Sequence, residues 1–334
     1  MASDFDERLA EMSPERRANI ERRVEEIRDN PFYRLRKALQ FSQEQDAEER
    51  ERAEATDPRP LVGARVVTLA VNVPGPIACT RLRGLGAEVV KVEPPAGDPL
   101  AHYSRAWYDE LARGQRVVAL DLKTDAGRAE LDALLADADL LVTANRPGAL
   151  KRLGLGWESL HARHPRLAQV AIVGHAPPDE EKAGHDLTYG AGAGLVSPPH
   201  PPRSLFVDLA SGERAVSEAL ALLMAAARDG VGRYASVALG TVAQELAAPL
   251  RHGLTAPDGL LGGGAAVYGL YRAKEGWVAL AALEPAFVRR VAEEMAVDPN
   301  DRAALEATFL ARTAEAWEAW ALERDIPIAA VQGL

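Results

Sequence analysis

From residue 61 onward the chain alternates short apolar runs with longer stretches whose apolar residues recur every three or four positions. The run at 65–71 (RVVTLAV) is β-branched and apolar, as expected of a strand buried on both faces. A turn at Asn72-Val73-Pro74-Gly75-Pro76 follows, then a helix to about Leu85, with Gly86 suited to its C-terminal cap. Residues 88–93 (EVVKVE) form a second strand, stopped by Pro94-Pro95. The same pattern predicts strands at 117–122, 140–143, 168–173, 233–238 and 277–282, with helices between several of them, notably at 125–136 and 212–228. Such alternation specifies an α/β fold, a parallel sheet covered by helices on both faces.

The first sixty residues have a different character. They are dense in Arg, Glu and Asp, and their sparse apolar positions Ile20, Val24 and Ile27 share one helical face. Pro31 interrupts that helix, a second helical stretch runs from Phe32 into the forties, and Asp57-Pro58-Arg59-Pro60 marks a boundary. Three parts are therefore expected: a charged helical arm at 1–59, a Rossmann-like domain at 60–230, and a smaller α+β domain at 231–334. The arm is either a solvated helical element or one that docks on a partner subunit or covers a site.

Composition narrows the possible functions. A formal charge of -10 argues against coating nucleic acid, yet allows a local basic pocket for a phosphorylated ligand. The single cysteine, Cys79, precludes an internal disulfide and suits a reducing compartment. No apolar run approaches the roughly 20 residues that span a bilayer, and the start of the chain is acidic rather than signal-like. A cytoplasmic protein without a membrane partner is expected.

The strand–turn–helix–strand opening resembles a dinucleotide fold, with Glu93 near the place of an acid that holds a ribose. The glycine pattern for a pyrophosphate is absent, and prolines in the turn remove the donors it would need, so nicotinamide binding is not expected. His161 and His164 have no further ligands nearby and fit a helix end; no metal is expected. Cys79 fits a small buried core residue. His185-Asp186 follows Gly184 and precedes a run of small residues, Gly190 to Gly194. The pair fits a helix N-cap, and equally a site where a ligand approaches backbone N–H groups able to hold an oxyanion. Neither a Gly-x-Ser-x-Gly elbow nor a Walker loop occurs.

Taken together, Gly75-Pro76, residues 85–95 (LGAEVVKVEPP), 118–123 (VALDLK), Arg146-Pro147-Gly148 and 152–156 (RLGLG) resemble the class III CoA-transferase and alpha-methylacyl-CoA racemase superfamily, the CaiB/BaiF family. The resemblance continues to about Val331. It implies a class III CoA-transferase fold whose Rossmann-like domain binds coenzyme A, with no cofactor beyond the coenzyme A of the substrate. Arg146 and Arg152 match positions near the CoA phosphates, Arg81 and Arg83 fall on the helix beside that site, and Glu93 joins the set. Guanidinium groups suit this role because they bind phosphate through paired, charge-assisted hydrogen bonds.

Transferases of this kind use an aspartate nucleophile, matched here by Asp186. Racemases carry a histidine before it, matched by His185, an aspartate before a helix, matched by Asp208, and a glutamate after a strand, matched by Glu284. The resemblance thus implies an isomerase, a racemase or epimerase of 2-methyl-branched (2-substituted) acyl-CoA thioesters. His185 and Asp208 would stand on opposite faces of the alpha carbon, Glu284 would orient the imidazole, and the N–H of Asp186 would serve the enolate oxygen. A CoA-transferase using Asp186 is the alternative, and a catalytically silent acyl-CoA- or partner-binding homologue a third. A homodimer is implied. This sequence departs from the family pattern at 174–179, at Ala112 and Gln115, in the proline-rich stretch between Asp186 and Asp208, and in ending soon after Val331.

Overall fold

The computed structural model describes residues 59–333. The chain divides into two compact units, Met1–Pro60 and Leu61–Leu334. All but the last residue of the arm expected at 1–59 lies outside the described residues.

The second unit begins β1 (Arg65–Thr68), α1 (Pro74–Gly84), β2 (Glu88–Glu93), α2 (Leu100–Tyr103), α3 (Arg105–Ala112) and β3 (Arg116–Ala119). It continues with α4 (Asp125–Ala136), β4 (Leu140–Thr143), α5 (Pro147–Arg152), α6 (Trp157–Arg163) and β5 (Ala168–Val173). Next come α7 (Asp186–Gly192), α8 (Phe206–Asp229), β6 (Tyr234–Ala238), α9 (Leu239–Leu246) and α10 (Ala248–Arg251). A π-helical turn (Leu260–Gly264) leads to β7 (Tyr268–Arg272), β8 (Trp277–Ala281), α11 (Pro285–Met295), α12 (Arg302–Phe309), α13 (Ala314–Leu322) and β9 (Ile328–Ala330).

The first six strands form one parallel sheet in the order β3-β2-β1-β4-β5-β6. β1 lies at its centre, with Val66 opposite both Val89 of β2 and Leu140 of β4. Alternate residues feed two cores. Val66, Val89, Leu140 and Val142 pack with α1 and α8 on one face, and Val67, Val92 and Leu141 pack with Leu131, Leu135, Leu150 and Leu160 on the other. A sheet sealed on both faces explains why these strands are continuous apolar runs. The order reverses between β1 and β4, and the crevice at the carboxyl ends of those strands is where such sheets receive ligands.

The smaller sheet, β7-β8-β9, is antiparallel. Tyr271, Val278, Leu280, Phe309, Trp317 and Ile328 form its core. Tyr271 stacks on Phe309 at 5.0 Å between centroids, and the Trp317 Nε1–H donates to the Phe309 carbonyl at 2.8 Å. The break expected at 230/231 falls ahead of β6, which pairs with β5 in the large sheet.

Two elements differ from expectation for identifiable reasons. β1 ends at Thr68 because the Ala70 N–H turns to the Thr68 hydroxyl, 3.0 Å away. α8 starts at Phe206, six residues before the expected start at Gly212, because that glycine lies inside the helix where α1 crosses it. A Cβ at Gly212 would sit 2.7 Å from Ile77 Cγ2 and 2.9 Å from the Pro74 carbonyl oxygen. Close helix packing, not helix initiation, is what that glycine serves.

Candidate active site

The start of α8 has no capping side chain of its own, since Leu205 occupies the N-cap. The third N–H of the helix, that of Asp208, instead donates to Asp186 Oδ1 at 2.9 Å. Asp186 is the first residue of α7, so one carboxylate ties the beginnings of two helices together and satisfies a donor that a helix start leaves open. Asp186 is buried. The Asp208 carboxyl beside it is pushed from its ordinary 3.8 up to about 7, first by burial and then by the charge of Asp186. Both causes disfavour the ionised form, and they bring Asp208 to the range in which a carboxyl can give or take a proton at neutral pH.

His185 precedes Asp186 in extended geometry, as the N-cap of α7, and its backbone N–H donates to the Thr188 hydroxyl at 2.9 Å. Its side chain is exposed. The helix-cap role and a place beside the aspartates are therefore compatible. Of the four expected catalytic positions, Asp186 and Asp208 meet at this junction, and His185 enters it as the residue that precedes Asp186. Glu284 is exposed at the N-cap of α11, and no hydrogen bond or ion pair links its carboxylate to His185 or Asp208 among the described residues.

A crevice lies at the carboxyl ends of the central strands. A cavity of about 490 Å³ is lined by Leu69, Glu93, Leu120, Lys123, Asn145 and Leu150, among others. The Asn145 Oδ1 is buried without a hydrogen-bond partner among the described residues, as an atom awaiting a polar ligand would be. Arg146 and Arg152 are exposed on either end of α5, beside lining residues. Arg81 and Arg83 line no part of the cavity. Arg81 pairs with Glu213 of α8 at 2.8 Å, while Arg83 packs against Gly114.

Glu93 belongs to a buried network that the sequence pattern does not reveal as such. Lys91 Nζ sits 2.9 Å from Glu93 Oε1 and 2.6 Å from Asp98 Oδ2, and the Tyr108 hydroxyl donates to Glu93 at 2.8 Å. Asp98 also accepts the N–H of Asn72 at 2.9 Å. That bond holds the β1–α1 turn, where Asn72 adopts a left-handed φ of 68° that glycine more often supplies. The signal that could have found it is Lys91, a charge at an inward position of an apolar strand, which requires buried partners.

His161 stacks on Trp157 and His164 Nε2 meets Asp132 at 3.0 Å, in keeping with the expected helix end. Cys79 is buried and its thiol is pushed up to about 11 by burial, the behaviour of a core residue. No group of three or more metal-ligating side chains occurs among the described residues, and none of the described helices is long and apolar enough to cross a membrane.

Comparison with known proteins bears on this arrangement. Among solved structures, a hypothetical protein (Rv3272) from Mycobacterium tuberculosis is similar with a TM-score of 0.72 at 26% identity, over 82% of this chain and 84% of that one. The alpha-methylacyl-CoA racemase of Homo sapiens is 34% identical over 68% of this chain and 62% of its own. The succinyl-CoA–D-citramalate CoA-transferase of Chloroflexus aurantiacus is 33% identical over 54% of this chain and 50% of its own. The chain thus spans about half to two thirds of the length of these curated relatives. Racemase and transferase relatives stand at similar identity, so likeness alone assigns the chain to the superfamily and not to one reaction. The model of the CoA-transferase family III matches residues 61–334, the whole of the second compact unit, and the chain belongs to that family.

Proposed function

We propose that this protein racemises or epimerises 2-methyl-branched (2-substituted) acyl-CoA thioesters, as a homodimer. The observation that carries the proposal is the junction of α7 and α8, where the Asp208 N–H donates to the buried Asp186 carboxylate at 2.9 Å; burial and the Asp186 charge there push the Asp208 carboxyl up to about 7. A proton alpha to a thioester is weakly acidic, so its removal needs a positioned base of suitable pKa and a stabilised enolate oxygen. Asp208 supplies one acid–base group, and His185, one residue from the aspartate that caps α8, supplies the other. In one direction Asp208 takes the proton and the imidazolium of His185 returns one to the opposite face; in the other direction the roles exchange. The N–H of Asp186, at the start of α7, serves the enolate oxygen.

The coenzyme A portion would enter the 490 Å³ cavity, where Asn145 offers an unpartnered oxygen and Lys123 a positive charge among apolar walls, while Glu93 lines it with its carboxylate already held by Lys91. Arg146 and Arg152, exposed and without an ion pair among the described residues, suit the phosphates better than Arg81, which Glu213 already engages.

A CoA-transferase reaction is the second reading, favoured by the burial of Asp186 and by the transferase relatives. There the Asp186 carboxylate would attack the thioester carbonyl and expel coenzyme A as thiolate. The thiolate would then attack the resulting anhydride at the aspartyl carbonyl and release the free donor acid. An acceptor carboxylate would attack the aspartyl thioester, and the thiolate it expels would attack the acceptor carbonyl of the new anhydride, giving the acceptor's thioester and free Asp186. Incubating a 2-methylacyl-CoA with the protein in D2O separates the two. Deuterium at C2 supports racemisation, whereas transfer of coenzyme A to an added carboxylic acid without deuterium at C2 supports the transferase and overturns the first proposal.

A further inference from the structure

Tyr189 lies one turn after Asp186 in α7 and is 7% exposed, in the core shared by α1, α8 and the large sheet. Its phenol ring occupies space that two glycines leave open. A Cβ at Gly174, just past the end of β5, would sit 2.5 Å from the Tyr189 Oη. One at Gly184, just ahead of His185, would sit 2.5 Å from Cε1, Cζ and Oη of the same ring. His175 closes a further side, its ring edge-on to Tyr189 at 5.2 Å between centroids. The Gly174 carbonyl is in turn held by the N–H of Gly240, 2.9 Å away, at the start of α9. One side chain therefore meets both ends of the loop at 174–184.

We infer that Tyr189 is the positioning residue of the acid–base site. Wedged against Gly174 and Gly184, it fixes the start of α7 relative to the end of β5, and so fixes Asp186 and the Asp208 that Asp186 caps. The inference rests on the proposed acid–base role of Asp208. A one-methyl intrusion at either glycine has nowhere to go except through the ring, since dense interiors yield only by shifting neighbours. Burial of the phenol and the nearby Asp208 charge both raise the Tyr189 pKa, in keeping with a dry pocket common to the two.

The titratable and charged groups around Asp208 come from several elements. Asp186, Tyr189 and His185 belong to α7 and its cap, and His175 to the loop behind it. Arg146 lies near enough to Tyr189 to lower its pKa. Along α8, Glu213 and Arg214 are engaged by Arg81 of α1 and Glu245 of α9. Loss of the ring admits water to Asp208 and loosens Asp186 from it. Both effects lower the Asp208 pKa.

The test is the carboxyl titration of full-length protein carrying 13C at the aspartate side-chain carboxyl, with Asp208 assigned through Asp208→Asn. In the wild type Asp208 titrates near 7; in Tyr189→Leu its midpoint falls by at least one pH unit, while Tyr189→Phe, which keeps the wedge, leaves it within a few tenths. If Tyr189→Leu does not fold, Gly184→Ala displaces the ring without removing it and produces the same fall. Unchanged titration in a folded Tyr189→Leu or Gly184→Ala overturns the inference, as does a Tyr189→Phe shift as large as that of Tyr189→Leu. Deuterium incorporation at C2 by the wild type, measured alongside, reports on the proposed reaction separately.

Discussion

The N–H of Asp208 and the carboxylate of Asp186, 22 positions apart in sequence, are joined by a 2.9 Å hydrogen bond that sets two helix starts side by side. Much of the site's chemistry follows from it. Asp186 gains a donor that supports its charge, and that charge then helps to keep the Asp208 carboxyl protonated.

Stability should record this arrangement as a function of pH. The folded protein keeps the Asp208 proton up to about pH 7, whereas the unfolded chain releases it near 3.8. The folded state binds more protons across that window, so the contribution of Asp208 is full below pH 4 and declines as pH rises to about 7. The loss is on the order of 4 kcal/mol. In Asp208→Asn the decline disappears, so thermal melts of variant and wild type should diverge between about pH 4 and pH 7, with the variant gaining, and keep a constant separation above that. Deuterium exchange at C2 should be lost in the same variant.

Lys91 neutralises two buried carboxylates, Glu93 and Asp98, and is itself 2% exposed. Lys91→Met strands both without a cation. Urea unfolding at neutral pH should show a loss of about 3–5 kcal/mol, the cost of breaking a buried pair from one side. A loss below about 1 kcal/mol, the scale of an exposed pair, would mean the network contributes little.

Gly212 holds α1 and α8 in contact. Gly212→Ala forces a methyl group toward Ile77 and the Pro74 carbonyl. Overpacking of this kind costs about 1–3 kcal/mol, against a gain of up to about 1 kcal/mol in helix propensity. A net drop in melting temperature is expected. A rise would show that the two helices part freely.

Among the arginines, Arg146→Met should raise the KM for an acyl-CoA about tenfold with kcat and melting temperature little changed, as loss of a charge-assisted phosphate contact does. Arg81→Met should leave KM within about twofold, because that guanidinium is turned to Glu213. Equal effects of the two would place the phosphates elsewhere.

The large sheet is legible in the sequence because its strands are sealed on both faces. The runs at 88–93, 140–143 and 168–173 coincide with β2, β4 and β5. β9 is not legible, since Ile328–Ala330 is three residues long and takes strand geometry from β8 alone. At the site, motif positions lead to His185, Asp186 and Asp208, but spacing carries no information on the bond between two carboxylate-bearing helix starts. Nor can it show that Tyr189 spans two glycines, because that relation depends on where β5 ends. Glu284 marks the same limit in reverse: the motif is present at the N-cap of α11, yet its exposed carboxylate makes no bond to His185 or Asp208 among the described residues.

The central place of β8 in the smaller sheet has a consequence for how the protein emerges from the ribosome. Its register with β7 is complete once residue 281 is made, but Val278 and Leu280 find Ala330 and Ile328 only some fifty residues later. In the interval the hairpin carries an open, apolar edge of the kind that recruits strands from other chains. Ile328–Ala330 thus acts as the closing stave of that sheet, and nascent chains halted before it should be the ones that aggregate.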